Sequence, residues 1–302
     1  MNVGGCMKYI SVIGSCNMDM IVESDIRPKA GETVMGKRLI LSPGGKGANQ
    51  AVAAAKVGGD VYMIGCVGDD ANGEMMCHTL QNNGVHTKYV NVLSHEITGT
   101  AHIILAEGDN SIIVLSGANG KVNQAVVDKA WDIISQSAII LLQHEIPLDT
   151  VGYIIQRAYD EKIPVLLNPA PYADIPKEWI DKVSYLTPNE HEAALIFPHM
   201  TREEILHAYP RKVVMTIGKE GVIYGDNDSI VHVPGFDVSV VDTTGAGDTF
   251  NGAFAVACTE GKSMEEAVRF ANAAAALSVG KIGAQAGMPV REEVEELLSC
   301  KR

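Results

Sequence analysis

Apolar and polar positions change rhythm along this chain, and the changes mark its parts. Tyr9 to Ile13 are a continuous apolar run closed by Gly14, which predicts a buried strand. Met20 to Glu23 and Val34 to Leu41 alternate instead, with Pro28 and Gly31 between them, and predict short β segments. Gly47 to Val57, rich in Ala and stopped by Gly58-Gly59, predict a helix. Val61 to Val67 follow as a strand and Gly73 to Asn82 as a helix ending at Gly84. Thr98 to Leu105 and Ser111 to Leu115 read as a hairpin around Glu107-Gly108-Asp109-Asn110.

After Lys121 the pattern becomes regular strand–helix alternation. Strands are expected at Ala138 to Leu142, Val165 to Asn168, Val183 to Leu186 and Val213 to Ile217. Helices are expected at Leu148 to Tyr159, Glu178 to Asp181 and Asn189 to Phe197. Val238 to Val241 look like the end of a further strand. The last two helices start near Asp248 and Ser263, the second on a capping box, Ser263-Met264-Glu265-Glu266, followed by an Ala-rich face from Ala271 to Ala276. Continuous apolar strands joined by helical crossovers imply a mostly parallel sheet covered on both faces, an α/β/α sandwich. The segments at about 19–41 and 98–115 stand outside this alternation and resemble each other in character. They predict one small β-sheet inserted into the main body as a lid. Without internal repeats, low-complexity stretches or a long linker, residues 1–302 read as a single domain.

Composition narrows the function classes. Hydrophobic residues make up 46% and charged residues 20%, enough for a sizeable core. A net charge of −13 argues against nucleic-acid and anionic-membrane partners, though not against a phosphorylated ligand held by local backbone N–H groups. The six Cys residues contain no C-x-x-C pair, so reduced thiols in a cytoplasmic protein are expected. Met1 to Lys8 lack a secretory signal, Met7 is an alternative start, and no apolar stretch approaches a bilayer span of about 20 residues.

The most informative stretch is Asp242-Thr243-Thr244-Gly245-Ala246-Gly247-Asp248-Thr249-Phe250-Asn251-Gly252. Phe250, Ala253, Phe254 and Ala257 recur at helical spacing, so a small-residue turn ends as a helix begins. Free N–H groups and the positive helix end converge there and suit a phosphate or a developing oxyanion. Asp248 sits in that first turn, placed to take a proton from an attacking hydroxyl. A dinucleotide fingerprint is excluded because Phe250 stands where its third Gly belongs. Ser42-Pro43-Gly44-Gly45-Lys46-Gly47 is no Walker loop either, since Gly47 replaces the required Ser or Thr and Ile40 the first Gly.

Five motifs together resemble the ribokinase branch of the PfkB carbohydrate kinase family, across essentially the whole chain. They are Gly14-Ser15-Cys16-Asn17-Met18-Asp19, Gly44-Gly45-Lys46-Gly47-Ala48-Asn49-Gln50-Ala51, Thr187-Pro188-Asn189-Glu190-His191-Glu192, Thr216-Ile217-Gly218-Lys219-Glu220-Gly221 and Asp242 to Phe250. Each alone is moderately specific; all five in order are strongly specific. The resemblance implies ATP-dependent phosphorylation of a sugar's primary hydroxyl on a Rossmann-like α/β/α domain, with a β lid that also forms a homodimer contact.

It implies, too, roles for single residues. Asn17, Asp19, Gly45, Lys46, Asn49 and Glu145 would bind the sugar, though Asn and Asp also suit a plain turn after a strand. His144 beside Glu145 is not carried over. Asn189, Thr216, Gly218, Lys219, Gly221 and Asn272 would line the nucleotide, and Glu192 would reach Mg²⁺ through water. A capping box between Asn189 and Glu192 is the structural alternative, compatible with that role. Gly245, Ala246 and Gly247 would form the anion hole, with Asp248 the general base. A monovalent-cation site, usually for K⁺, would use Asp242, Thr244, Ser278, Lys281, Gly283 and Gly287. Gly287 departs from a frequent Ser, and Gly245 from a common Ala. The segment between Glu192 and Val213 is shorter than usual in the family. D-ribose with ATP is the leading substrate pair, with ribose 5-phosphate as product. Another PfkB kinase acting on 2-deoxyribose or a nucleoside is the near alternative, and a non-catalytic sugar sensor the distant one.

Overall fold

The computed structural model describes residues 9–300; the readings made on Met1 to Lys8 lie outside them. In chain order the strands are β1 Tyr9–Ile13, β2 Asn17–Glu23, β3 Arg38–Gly44, β4 Val61–Gly68, β5 His86–Leu93, β6 Gly99–Ala106, β7 Asp109–Leu115, β8 Ser137–Leu142, β9 Val165–Leu167, β10 Tyr185–Leu186, β11 Val214–Thr216, β12 Gly221–Asp226 and β13 Ser229–Pro234. The helices are α1 Lys46–Lys56, α2 Ala71–Asn82, α3 Gln124–Lys129, α4 Trp131–Ile134, α5 Leu148–Asp160, α6 Lys177–Lys182, α7 Glu190–Ile196, α8 Arg202–Ala208, α9 Ala246–Thr259, α10 Met264–Ser278, α11 Ala284–Gly287 and α12 Arg291–Cys300.

Six parallel strands form the central sheet in the order β10-β9-β8-β1-β4-β5. Successive side chains on a strand point to opposite faces, so a continuous apolar strand feeds two cores. Ile10, Val12, Ile139 and Leu141 face a core completed by α1, α9 and α10, while Ile13, Ile140 and Leu142 face one completed by α5. This gives the expected three layers. Chain order reverses at β1, which pairs with β4 on one side and β8 on the other. Open α/β sheets bind ligands in the crevice beyond the strand ends at such a point. Gly14 to Asn17 and Gln143 to Glu145 stand there.

The second sheet has the order β3-β2-β6-β7 and unites the two outlying β segments. Residues 24 to 37, inside the first of those segments, form an irregular loop, so β3 starts at Arg38 and not at Val34. Pro28 and Gly31 interrupt any ladder there. β7 is exposed along its whole length.

The structure corrects three other expectations. Val238 to Val241 are not a strand: the N–H groups of Val241 and Asp242 go to the Val279 carbonyl, and Val240 and Val241 are exposed. The hairpin β12–β13, unanticipated, extends the parallel body through antiparallel pairing with β11. The helices starting near Asp248 and Ser263 are followed by α11 and α12, so they are not the last. The short stretch between Glu192 and Val213 holds the end of α7 and the whole of the seven-residue α8.

Helices α1 and α9 meet closely enough that glycine is needed between them. A Cβ on Gly252 would lie 2.7 Å from the Gln50 carbonyl and 2.8 Å from the Ala53 Cβ. That close approach sets Asn49 and Gln50 of α1 against Asp248 of α9.

Candidate active site

Asp248 is the centre of the polar network at the crevice. Asn49 donates through Nδ2 to its Oδ2 at 2.9 Å, and Gln50 through Nε2 to its Oδ1 at 3.1 Å. Burial pushes its carboxyl up, while the Lys46 ammonium and the two amides pull it back; the net shift is upward. Lys46 feels the mirror-image balance. Burial alone lowers it, but Asp248, Glu145 and Glu192 together outweigh that and raise it.

The residues after β1 and β8 are tied to this centre. Ser15 Oγ donates to Glu145 Oε2 at 2.5 Å, and the Lys46 N–H donates to the same oxygen at 3.0 Å. Asn17 is buried, with its Oδ1 accepting from Asn119 Nδ2 at 2.7 Å, so its own Nδ2 points elsewhere. The Asp19 carboxylate accepts no hydrogen bond among the described residues. Burial, then Glu145 and Asp248, push its carboxyl up to about 7. A Cβ on Gly44 would fall 2.4 Å from Asp19 Oδ2, so the Gly-Gly pair gives that carboxyl its room. Gly45 stands at φ 87°, and its Cβ would meet the Asn17 N–H nitrogen at 2.7 Å. The six residues expected on the sugar side and Asp248, expected there as well as in catalysis, therefore share the crevice, joined by contact or charge.

Gly245 caps α9 at φ 78°, in left-handed backbone, and a Cβ there would lie 2.7 Å from the Ala284 Cβ. In this chain the position demands glycine for both reasons. At Gly247 a Cβ would meet nothing within 4 Å, so the first turn of α9 opens onto free space. The Ala246 N–H, expected in the cradle, donates to the Thr243 carbonyl at 3.2 Å, so the N–H groups of Gly245 and Gly247, with that space above them, are the ones that can cradle an oxyanion.

Asn189 and Glu192 do form the capping box, at 2.8 and 2.9 Å. Burial raises the Glu192 carboxyl, against the Asn189 N–H and Lys46. Asn189 and Thr216 are paired across the α7 entrance and the β11 end, and the Thr216 N–H donates to the Pro188 carbonyl. Gly218 and Gly221 have φ 59° and 106° around the 218–220 turn that carries Lys219. Asn272 spends its Nδ2 on the Val233 and Pro234 carbonyls, clamping α10 to β13.

The two parts of the expected cation loop meet at Asp242. Its Oδ1 accepts from the Thr244 N–H and hydroxyl at 2.9 and 2.6 Å, and its Oδ2 from the Gly283 N–H at 2.8 Å. Burial pushes its carboxyl up, but these bonds outweigh it and hold the group below the usual carboxylate range. A Cβ on Gly287 would lie 2.2 Å from the Ser278 carbonyl oxygen and 3.6 Å from that of Lys281. Gly287→Ser is therefore expected to destabilise the protein by about 1–3 kcal/mol through overpacking against backbone. An unchanged denaturation midpoint would show that the loop can yield.

Several site residues carried no sequence signal of their own. Gln50 bridges Asp248 and Asn168 Oδ1, Gln143 donates to Gln50, and Gln285 to Asn49. Asn168 donates to the Thr187 carbonyl, Thr187 to Asn251 Oδ1, and Asn251 to the Gly247 carbonyl. Gln50 lies inside the Gly-Gly-Lys motif, and a glutamine within an Ala-rich helix was the one available hint.

A doubly wound α/β body with a buried carboxylate and an open helix N-terminus at its switch point has the build of a small-molecule phosphotransferase. The chain belongs to the pfkB family of carbohydrate kinases, whose model matches residues 7–291. It is 54% identical over 293 residues to the ribokinase of Bacillus subtilis (strain 168), covering 97% of this chain and 100% of that one. Among solved structures it is similar to the ribokinase of Thermotoga maritima, with TM-score 0.88, 38% identity and coverage of 97% and 99%. The ribokinase of Arabidopsis thaliana complexed with ribose and ATP gives TM-score 0.89, 38% identity and coverage of 96% and 98%.

Proposed function

We propose that this protein transfers the γ-phosphoryl group of ATP to O5 of D-ribose, giving ribose 5-phosphate and ADP. The observation that carries the reading is Asp248, a buried carboxylate in the first turn of α9 beside open space at the helix end. The identity with the B. subtilis ribokinase and the likeness to the ribose- and ATP-bound Arabidopsis enzyme support the choice of substrates. Asp19, with no competing donor, accepts from two sugar hydroxyls; Asn17, Gly45, Lys46, Asn49 and the remaining oxygen of Glu145 complete the pocket. Asp248 takes the O5 proton as that oxygen attacks the γ-phosphorus in line, and the N–H groups of Gly245 and Gly247 hold the transferring oxygens, joined by that of Ala246 if it leaves the Thr243 carbonyl. Asn189, Thr216, Gly218, Lys219, Gly221 and Asn272 flank the nucleotide.

No cluster of three or more His, Cys, Asp or Glu suited to a metal exists among the described residues. That fits Mg²⁺ brought on the ATP phosphates, with Glu192 reaching it through water. The oxygen-rich loop around Asp242, Thr244, Ser278, Lys281, Gly283 and Gly287 suits a hard monovalent cation such as K⁺, which would add positive charge beside the cradle. We place the protein in the cytoplasm, where ATP is available and where Cys16, Cys66, Cys77, Cys258 and Cys300 stay unpaired thiols. No helix among the described residues is long and apolar enough to cross a membrane.

The small sheet acts as lid and dimer contact in this reading. Ile112, Ile113 and Val114 are 51, 66 and 54% exposed on β7, and Leu39 is 61% exposed on β3. An apolar surface of that kind calls for a cover, and a second copy offers a matching one. Light scattering should give a dimer mass for the parent and a monomer mass for Ile113→Asp. A monomeric parent would remove the dimer.

The functional reading is tested by ADP formation with D-ribose, 2-deoxyribose, adenosine and fructose 6-phosphate, with and without K⁺. Ribose-selective, K⁺-stimulated turnover is expected. Selectivity for another acceptor would replace the substrate; ribose binding with no turnover would make the protein a sensor.

A further inference from the structure

Four amides serve Asp248, and their donors and acceptors form two chains. An ionised carboxylate only accepts hydrogen bonds, so each neighbour must turn its N–H end toward it. Asn49 and Gln50 do so, one to each oxygen. An amide has two unlike ends, and either of these, turned over, would set its carbonyl against the carboxylate. A second amide stands behind each and opposes the turn, and on the Gln50 side Asn168 Oδ1, accepting from the same Nε2 at 3.1 Å, adds to that restraint. Gln143 donates through Nε2 to Gln50 Oε1 at 2.7 Å, and Gln285 through Nε2 to Asn49 Oδ1 at 3.0 Å. Gln143 follows β8 and Gln285 lies in α11, so the two arrive independently in the fold.

All four side chains are at least nine-tenths buried. The Oε1 atoms of Gln143 and Gln285 accept no hydrogen bond among the described residues. A buried carbonyl left unpaired is costly and uncommon. An apolar side chain of similar volume would avoid that cost, so the N–H end is what each glutamine contributes.

We propose that Gln143 and Gln285 are positioning residues for phosphoryl transfer, each locking the amide that donates to one oxygen of Asp248. The inference rests on the reading of Asp248 as general base. Each lock acts through a single intermediary, Gln143 through Gln50 and Gln285 through Asn49. Removing a lock therefore matters only while its intermediary is present, and the two losses are not additive.

The test is kcat and KM for ribose and ATP in Gln143→Leu, Gln50→Leu, the double variant of these two, and Gln285→Leu. Gln143→Leu should lower kcat roughly ten-fold, the scale of outer-sphere orienting groups. Both KM values should stay within about two-fold, since both glutamines are buried behind Gln50 and Asn49 and are assigned no substrate contact. The double variant should be no slower than Gln50→Leu alone. Gln285→Leu should show the same kcat-against-KM split, and it carries the test alone if Gln143→Leu does not fold. An unchanged kcat in the folded variants overturns the proposal. So does a double variant whose loss is the product of the single losses. A parent with no turnover toward any acceptor removes the functional reading and this inference with it; an active parent with unaffected variants removes the inference only.

Discussion

Asp248→Asn is expected to lower kcat by about 10²–10⁴-fold, the usual cost of losing a general base. The acceptor KM should change little, because Asn17, Asp19 and Glu145 still hold the sugar. Loss confined to kcat would identify an interaction made only as the proton moves. The substitution is not silent in structure, however. Both oxygens of Asp248 receive N–H groups, so an asparagine amide at 248 would face one donor with another. That mismatch is independent of pH, whereas the cost of the buried charge is not. The Asp248 carboxyl is pushed above its ordinary 3.8, so folding favours the protonated form. The stability this gives is fully present below the unfolded value and is lost as pH rises through the folded one. The parent should therefore lose stability relative to Asp248→Asn as pH rises above about 4. Thermal melts of both proteins across pH check the slope. Parallel curves would mean that folding does not raise the Asp248 carboxyl; a variant with near-parental kcat would remove Asp248 from the role of base.

Much of this site is legible in the sequence because its carriers are residues with few alternative uses. Gly44-Gly45 before Lys46, and Gly245 to Gly247 before Asp248, mark close approach and an open helix end, and the structure places them so. The amides are another matter. Gln50, Gln143, Asn168 and Gln285 are uncharged, fit no metal or nucleophile motif, and meet partners 93 to 236 residues away in the chain. Only the packing of α1 on α9, set by Gly252, and the arrival of β8 and α11 reveal that they converge. The errors in the fold have equally local causes. Val238 to Val241 have strand composition, but the Val241 N–H goes to the Val279 carbonyl and Val240 and Val241 are exposed, so no ladder forms. The hairpin β12–β13 was readable from Gly225-Asp226-Asn227-Asp228 between two β-branched runs, a turn signal as clear as that at 107–110. The central sheet needed no such detail, because strands buried on both faces are apolar throughout.

Asp19→Ala should raise the KM for ribose by about 10²–10⁴-fold and alter kcat far less. Two hydrogen bonds to a charged group are lost, each worth about 1.5–3 kcal/mol, and about 1.4 kcal/mol is a factor of ten. In the free protein this carboxyl has no hydrogen-bond partner among the described residues, and burial beside Glu145 and Asp248 raises it to about 7. Its neutral form stabilises the fold, fully below the ordinary 3.8, and that stability is lost as pH rises through about 7. Ribose binding runs in the opposite direction. Sugar hydroxyls donate to the ionised carboxylate, so the bound state favours the form that the free protein disfavours. Ribose must therefore expel a proton below about pH 7, and its Kd should rise by up to about ten-fold per pH unit as pH falls. Calorimetry with ribose alone, without ATP, separates this from the titration of the catalytic step. It should show proton release on binding between pH 5.5 and 7, vanishing near pH 8. In Asp19→Ala the residual affinity should be flat over the same range. A parent whose ribose affinity is equally flat would mean that Asp19 does not receive the sugar hydroxyls. The ionised form that ribose needs is the one burial disfavours, so Asp19's own contribution to stability is smallest where ribose binds best.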